Sequence, residues 1–242
     1  MPMVSNKKRT YILVHGAGHG AWCFYKVIAG LEKAGHKVIA PDLPGMGTDR
    51  TPYKDITLEG WAKFISGIIE KQDGPVVLVG HSRGGLVCSQ AAEYCPDKIE
   101  KLVYLACTLV KPGESMLNNS FNSSPLINHA ILAEDGLSAT VNMNSIRELF
   151  YNDCSEEDIA LARACLCAEP LVPDGAPLKV TEEKYGRLPK IYISTLQDNT
   201  VYPQEQRNIY TWAKCERVIE MNTSHSPFFS APDELIKHLL SV

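Results

Sequence analysis

The sequence has no long hydrophobic run. No stretch approaches the roughly 20 consecutive apolar residues that a membrane-spanning helix requires, so we expect no membrane partner. The polar residues at 1–9 also lack the apolar core of a secretory signal peptide. Both absences favour a cytoplasmic protein.

Basic patches are missing as well. Lys and Arg number 24 against 28 Asp and Glu, which leaves a net charge of −4 and no basic run. We therefore expect no nucleic-acid partner. With 45% hydrophobic residues among 242, the chain can bury a full core, and its length suits a single α/β domain. The oligomeric state stays open, with a homodimer as one option.

The eight cysteines include no C-x-x-C pair. Without a secretory signal, we expect them to be reduced thiols that pack as small apolar side chains. The spacing predicts no zinc site, and nothing else in the sequence indicates a metal or a cofactor. The cysteines are Cys23, Cys88, Cys95, Cys107, Cys154, Cys165, Cys167 and Cys215.

What the sequence does contain is an alternation of short apolar runs with amphipathic stretches. Apolar runs predict strands at 10–15, 37–40, 75–79, 99–106, 190–195 and 217–221. Helical spacing predicts helices at 22–34, 58–71, 84–94, 204–214 and 232–240. Uninterrupted apolar strands that alternate with helices are typical of an α/β fold with a mostly parallel central sheet and helices on both faces.

This alternation breaks at about 108–187, a stretch rich in Asn, Ser, Pro and acidic residues. One helix is predicted there, at 156–168, with Ser155 as its N-cap and acidic residues in its first turn. Some 80 residues are too many for a simple connection. We expect an inserted helical cap over the sheet of a single domain that spans 1–242.

The sharpest motif is Gly80-His81-Ser82-Arg83-Gly84, which directly follows a predicted strand and precedes a helix. Gly-x-Ser-x-Gly suits a strained strand-to-helix turn that lifts the serine above the sheet, with glycines on both sides to avoid clashes. We therefore predict Ser82 to be a nucleophile. The alternative is an ordinary tight turn that happens to contain a serine.

A serine nucleophile needs a base and an acid, which follow it in the order Ser, Asp or Glu, His. His225 comes just after the last predicted strand, and Asp198 follows the strand at 190–195. No rival acid follows the strand at 99–106 until Glu114. We predict Asp198 as the acid and His225 as the base. For Asp198, a plain turn or helix-capping role is the alternative.

Two backbone N–H groups must also stabilise the developing oxyanion. Arg83 follows the nucleophile, and Ala17 lies in a glycine-dense loop at 15–22, between a strand and a helix. We predict their N–H groups as the donors. The loop at 15–22 matches neither G-x-G-x-x-G nor a lysine-bearing P-loop, so a phosphate cradle is the weaker interpretation.

Five segments together resemble the α/β-hydrolase fold, and more narrowly the branch of plant methylesterases, hydroxynitrile lyases and related bacterial carboxylesterases of the pyrethroid-hydrolase type. The resemblance implies a nucleophile, acid and base at Ser82, Asp198 and His225, and oxyanion donors at Ala17 and Arg83. The segments are VHGAGHGAW (14–22), AGHKVIAPDLPGMGTD (34–49), VVLVGHSRGG (76–85), STLQDNTV (194–201) and TSHSPFFSAPDEL (223–235).

Within that branch, the esterases fit better than the lyases. Lyases resemble G-E-S at the elbow, with a threonine after the first-loop histidine and a lysine after the catalytic histidine. Here those positions hold His81, Gly16 and Ser226. Arg83 departs from the smaller apolar residue that is common in relatives, and its guanidinium either points into the pocket or pairs elsewhere.

These features predict a cofactor-independent serine carboxylesterase that acts on a small or medium ester through an acyl-enzyme. A ligand-binding receptor or slow hydrolase on the same scaffold stays open, as does a lyase or amidase. Specificity is expected to reside in the cap, where each apolar candidate is either a pocket wall or ordinary core. Those candidates are Leu109, Phe121, Leu126, Leu132, Phe150 and Leu166.

Overall fold

The structure, a computed structural model, describes residues 8–118 and 125–242. Its centre is a sheet of six strands, with three further short strands in the segment between the fourth and the fifth of these. In chain order the strands are β1 (Thr10–Val14), β2 (Lys37–Ile39), β3 (Val76–His81), β4 (Ile99–Leu105), β5 (Ala130–Leu132), β6 (Ser138–Val141), β7 (Glu169–Pro170), β8 (Lys190–Thr195) and β9 (Arg217–Met221).

All neighbouring strands of the central sheet run parallel, in the order β2-β1-β3-β4-β8-β9. The prediction of a parallel α/β sheet is therefore confirmed. The sheet's carboxyl edge carries the ends of β3, β8 and β9, at His81, Thr195 and Met221. Loops that leave these strands consequently meet at one edge, although they lie far apart in the sequence.

Helices cover both faces of the sheet. They are α1 (Tyr25–Lys33), α2 (Leu58–Glu70), α3 (Gly84–Tyr94), α4 (Ile146–Phe150), α5 (Glu156–Cys165), α6 (Val172–Gly175), α7 (Pro203–Trp212), α8 (Pro227–Ser230) and α9 (Pro232–Leu240). Short 3-10 turns occur at Ala21–Phe24, Tyr53–Asp55, Pro96–Lys98 and Pro125–His129, and a π turn at Glu182–Gly186. No helix in the described ranges is long and apolar enough to cross a membrane.

Two hydrophobic clusters form the core, one on each face of the sheet. Alternating side chains of β1 illustrate the division: Ile12 and Val14 pack with α2, α3 and α7, whereas Tyr11 and Leu13 pack with α1 and α9. The four residues are at most 1% exposed. Burial on both faces is why these strands read as continuous apolar runs instead of alternating patterns.

The segment between β4 and β8 contains strands as well as helices. In it, β6 pairs in antiparallel fashion with both β5 and β7. The sequence predicted only the helix at 156–168, which the structure forms as α5 with Ser155 accepting a hydrogen bond from the N–H of Asp158. The helix ends at Cys165, because the N–H of Cys167 donates instead to the carbonyl of Gly18 over 2.9 Å.

Candidate active site

Ser82 occupies the sharp turn between β3 and α3. Its φ is +51°, in the left-handed region that residues other than glycine rarely adopt. A β-carbon at Gly80 would lie 2.8 Å from the carbonyl oxygen of Gly84, and one at Gly84 would lie 2.6 Å from the carbonyl oxygen of His15. Only glycine therefore fits on either side of Ser82, which explains the spacing of the motif.

The three side chains predicted as nucleophile, base and acid form a hydrogen-bonded series. His225 Nε2 lies 3.0 Å from Ser82 Oγ, and His225 Nδ1 lies 2.8 Å from Asp198 Oδ2. His225 is 1% exposed and Asp198 is 2% exposed, so water is largely excluded from the series. With Nδ1–H donating to the carboxylate, Nε2 is the acceptor that faces the hydroxyl of Ser82.

The carboxylate of Asp198 is held by donors from the same loop and from α7. Oδ1 accepts from the backbone N–H groups of Thr200 and Val201, at 2.7 and 2.9 Å. Oδ2 accepts from Thr195 Oγ1 at 2.8 Å and from Gln206 Nε2 at 3.3 Å, in addition to His225. Asp198 is thus oriented by its own loop, where it makes the turn contacts that were the alternative; it does not cap the helix that follows, whose N-cap is Tyr202.

Two side chains hold the loop that carries His225. Asp153, from the inserted segment, accepts from the N–H of Ser224 at 2.8 Å and also bonds its hydroxyl. His81 Nε2–H donates to the carbonyl of His225 at 2.9 Å. Burial lowers the pKa of His81 well below its usual value, which keeps the ring neutral. The sequence indicated no such role for His81, so this contact with the backbone of the base is an additional finding.

The first loop packs directly against the nucleophile. A β-carbon built on Gly16 would lie 2.8 Å from Ser82 Cβ. In the part of the chain that the structure describes, the N–H groups of Ala17 and Arg83 donate to no protein acceptor. Both predicted oxyanion donors are therefore available to an incoming group.

His19 fixes the backbone of this first loop, a role that the sequence did not reveal. Its Nδ1–H donates to the carbonyl of Ala17 at 2.7 Å, and its Nε2 accepts from the hydroxyl of Tyr151 at 2.6 Å. Burial lowers the pKa of His19 to about 3, so the ring is neutral and can accept this second bond. The orientation of the Ala17 carbonyl, and with it that of the loop, depends on this bridge to the inserted segment.

The guanidinium of Arg83 does not line the cavity. It pairs with Glu169, with 2.6 Å between Nε and Oε1, and its Cζ lies 4.2 Å from the centroid of the Trp61 ring. The side chain of Arg83 is 3% exposed. Of the two directions that the sequence left open, the structure shows pairing elsewhere, with a carboxylate of the inserted segment.

A cavity of about 150 Å³ lies between the first loop and the inserted segment. Its lining is mostly apolar and includes Ala17 and Gly18, with Glu169 and Asp174 as the two charged residues. Among the apolar candidates in the cap, Leu126, Phe150 and Leu166 line this cavity. Leu109 belongs to the hydrophobic core. Leu132 is 67% exposed and is part of neither the cavity wall nor the core. Phe121 lies outside the described residues.

All eight cysteines are free thiols. Within residues 8–118 and 125–242, no group of three or more His, Cys, Asp or Glu side chains is arranged to hold a metal ion. The absence of a metal or cofactor in the activity itself stays a prediction from the sequence.

Comparisons with known proteins agree with this geometry. The sequence profile described as the alpha/beta hydrolase family matches residues 11–238. Methylesterase 2 of Arabidopsis thaliana is 33% identical over 98% of this chain and 96% of its own length. The crystal structure of the methylesterase MES16 from Arabidopsis superposes with a TM-score of 0.83 at 27% identity, covering 96% of this chain and 98% of that one.

Some relatives are longer than this chain. A chloroplastic protein of Arabidopsis thaliana that carries the provisional name methylesterase 11 is 33% identical over 96% of this chain, which spans 63% of that protein's length. The predicted enzyme class, a carboxylic ester hydrolase, is supported by the names of these relatives. With a matching profile over nearly the whole sequence and the same fold in a solved relative, the chain belongs to the alpha/beta hydrolase family.

Proposed function

We propose that this protein is a serine carboxylesterase that hydrolyses a small-molecule ester through an acyl-enzyme on Ser82. The observation that carries the proposal is the series in which His225 lies 3.0 Å from Ser82 Oγ and 2.8 Å from Asp198. A hydroxyl is a poor nucleophile until a base accepts its proton, and this arrangement supplies such a base in a buried site. Relatives named methylesterases support an ester as substrate.

In the first half-reaction, His225 Nε2 takes the proton from Ser82 while Oγ attacks the ester carbonyl carbon. The carbonyl oxygen becomes an oxyanion, which the N–H groups of Ala17 and Arg83 stabilise. His225 then gives its proton to the ester oxygen as the bond between carbonyl carbon and oxygen breaks. The alcohol leaves, and the acyl group remains on Ser82.

In the second half-reaction, a water molecule gives a proton to His225 and its oxygen attacks the acyl carbon. The tetrahedral intermediate collapses, the proton returns to Ser82 Oγ, and the carboxylic acid leaves. Asp198 keeps Nδ1 protonated throughout and stabilises the imidazolium that forms in each half. No cofactor is needed, since protons and electron pairs balance among the substrate, water and these side chains.

The inserted segment is proposed to act as the cap of this single-domain enzyme. Its residues Leu126, Phe150 and Leu166 form apolar walls of the cavity next to the first loop, and Tyr151 supports the loop through His19. An apolar cavity of this kind suits the uncharged acyl or alcohol part of an ester. The boundaries proposed for the cap are about 108–187.

Two features favour hydrolysis over the lyase alternative. A threonine at position 16 would place its β-carbon 2.8 Å from Ser82 Cβ, so this loop has no room for it without movement. Ser226, which is fully buried, stands where a lyase of the resembling branch carries lysine, so no ammonium is available there for a departing anion. A purely receptor-like role is disfavoured by the free N–H donors beside a paired serine and histidine.

The proposal is tested with Ser82→Ala, assayed for multiple turnover of p-nitrophenyl acetate. We expect kcat to fall on the order of 10⁶-fold, as for loss of an activated serine in other triads. Ser66→Ala is the matched control, because the hydroxyl of Ser66 donates to the carbonyl of Lys63 within α2, away from the proposed site. Substantial turnover by Ser82→Ala would refute the assignment, and a single burst without further turnover in the unmodified protein would favour the receptor.

A further inference from the structure

One carboxylate of the inserted segment contacts both loops that carry the proposed oxyanion donors. Glu169, at the start of β7, accepts a hydrogen bond from the N–H of Gly18 at Oε2, over 2.7 Å. Its Oε1 lies 2.6 Å from Nε of Arg83. The loop that follows β1 and the elbow that follows β3 are therefore joined through a single side chain.

The two contacts of Glu169, with Gly18 and with Arg83, lie next to the N–H groups that would bind the oxyanion. Gly18 follows Ala17 in the chain, so a fixed Gly18 N–H restricts the peptide plane next to the Ala17 donor. Arg83 itself supplies the second donor from its backbone, while its side chain reaches Glu169. The separation and the direction of the two N–H groups thus depend on the position of one carboxylate.

Further contacts hold the residues on either side of this carboxylate. Gly18 is held on its other side as well, since its carbonyl accepts from the N–H of Cys167 over 2.9 Å. Glu169 is paired with Ala139 in the antiparallel strands of the inserted segment. The guanidinium of Arg83 lies against Trp61, whose indole N–H is in turn bound to the carbonyl of Pro44 at 2.8 Å.

Charge makes Glu169 difficult to replace. Among the described residues, none of the three guanidinium nitrogens of Arg83 has a hydrogen-bond partner of good geometry, so the ion pair with Glu169, 2.6 Å from Nε, is the direct charge compensation for this buried cation. A buried charge that loses its partner is strongly unfavourable, so the guanidinium would move if Glu169 became neutral. Such a movement would start at the residue that contributes an oxyanion donor.

We propose that Glu169 is a positioning residue that holds the two halves of the oxyanion hole at their working separation. The role rests on the proposed esterase function, because it concerns the same Ala17 and Arg83 donors. Oxyanion stabilisation depends on donors that are in place before the reaction, and a misplacement of about 1 Å costs on the order of 10²-fold in rate. Glu169 touches neither the substrate's reacting atoms nor Ser82 in this scheme.

Glu169→Gln and Glu169→Ala separate the two contacts. Gln keeps an acceptor for Gly18 but loses the charge that Arg83 requires, whereas Ala loses both. We expect kcat for p-nitrophenyl acetate to fall about 10-fold in Glu169→Gln and about 10²-fold in Glu169→Ala. In both variants KM should stay within about 3-fold of that of the unmodified protein. Glu169→Asp retains the charge at a shorter reach and is expected to fall between the unmodified protein and Ala.

The inhibition constant of a trifluoromethyl ketone separates the positioning role from a merely structural one, which would leave this constant unchanged. This inhibitor adds to the serine as a tetrahedral oxyanion, so its inhibition constant should rise by the same factor by which kcat falls. Asp158→Asn is the matched control, because Asp158 also joins the inserted segment to the body of the protein, through Lys26 Nζ at 2.8 Å. We expect Asp158→Asn to retain kcat and the inhibition constant within about 3-fold.

The outcomes distinguish this proposal from the proposed function. Folded Glu169→Gln with unchanged kcat would overturn the positioning role, as would an equal loss in Asp158→Asn, which would indicate general attachment of the cap. If Glu169→Gln does not fold, unchanged kcat in folded Glu169→Ala, which lacks both contacts, would overturn it instead. Ser82→Ala is run in parallel: turnover retained there refutes the esterase mechanism itself, whereas turnover lost there leaves only Glu169 in question.

Discussion

His81 donates a hydrogen bond from its Nε2–H to the backbone carbonyl of His225, over 2.9 Å. The residue before the proposed nucleophile thereby holds the backbone of the proposed base, and the two rings lie 4.8 Å apart between centroids. Burial lowers the pKa of His81 well below its usual value, so the ring acts as a neutral donor and not as a second base.

We predict that His81→Phe lowers kcat about 10-fold with little change in KM. Phenylalanine retains a buried ring but leaves the carbonyl of His225 without its donor, which loosens the imidazole opposite Ser82. Steady-state kinetics on p-nitrophenyl acetate would measure this split. A variant with the kcat of the unmodified protein would show that the loop around Asp153 alone orients His225.

Replacement of Asp198 should be far more damaging. In Asp198→Asn, the amide NH₂ must face either His225 or the backbone donors of Thr200 and Val201, so one set of contacts becomes repulsive. We expect a loss of kcat on the order of 10⁴-fold, as the imidazole takes the wrong tautomer. Kinetics together with a melting curve would check this, and a loss below about 10-fold would contradict a role for Asp198 as the acid.

The close packing of the glycines around Ser82 predicts how their replacement changes the free energy of unfolding. Gly84→Ala would place a β-carbon 2.6 Å from the carbonyl oxygens of Val14 and His15, so we expect destabilisation of about 1–3 kcal/mol or more. Gly67→Ala is the control, because a β-carbon on Gly67 in α2 meets nothing within 4 Å. That substitution should stabilise the protein by about 0.5–1 kcal/mol, since alanine favours a helix.

Urea unfolding of both glycine variants would measure these free energies. The expected result is opposite signs for the two substitutions. Equal, small effects would mean that the elbow is less tightly packed against the end of β1 than the structure shows.

The pH dependence of kcat offers a test of the contact between Glu169 and Arg83. Burial raises the pKa of Glu169 to about 7, against the lowering effect of the Arg83 charge; Asp174 raises it further and the Gly18 N–H lowers it. Cys167 and Tyr53 also face this group, and burial raises the pKa of each, so both are uncharged at neutral pH. Asp174, whose pKa burial also raises, is the other acid nearby.

We expect kcat to decrease as the pH falls, because the charged carboxylate of Glu169 is the form that holds Arg83. Above pH 7 Glu169 is a carboxylate that holds Arg83, and as the pH falls through about 7 it gains a proton and the ion pair is lost. We therefore predict an acidic decline of kcat with a component near pH 7 in the unmodified protein that Glu169→Gln lacks. An unchanged decline near pH 7 in Glu169→Gln would assign it to another group.

Much of the central sheet was predictable from the sequence. The strands at 190–195 and 217–221 have the predicted bounds, as does the helix at 84–94. The strand at 190–195 is buried along its whole length, so the polar turn that follows marks its end in the sequence. The juxtaposition of Ser82 with Asp198 and His225 also follows from parallel strands, whose carboxyl ends share an edge. Catalysis by these three residues remains the proposal that the experiments above test.

The inserted segment was predictable only in part. The strand at Ala130–Leu132 is exposed along its whole length, so it carries no burial pattern that the sequence could display. The supporting roles of His19 and Glu169 were missed, because each depends on a partner more than 60 residues away in the chain. A signal for Glu169 did exist, since the unusual Arg83 after the nucleophile called for a buried carboxylate somewhere in the fold.

In the proposed mechanism, the acyl group of the substrate is carried by the oxygen of Ser82. The most direct measurement is rapid quenching in acid during turnover of p-nitrophenyl acetate, followed by mass spectrometry of the peptide that contains residue 82. We predict an acetyl group on Ser82 that disappears as substrate is exhausted. Steady turnover with no modification at Ser82, or with acetyl on a different side chain that turns over at the catalytic rate, would contradict the account.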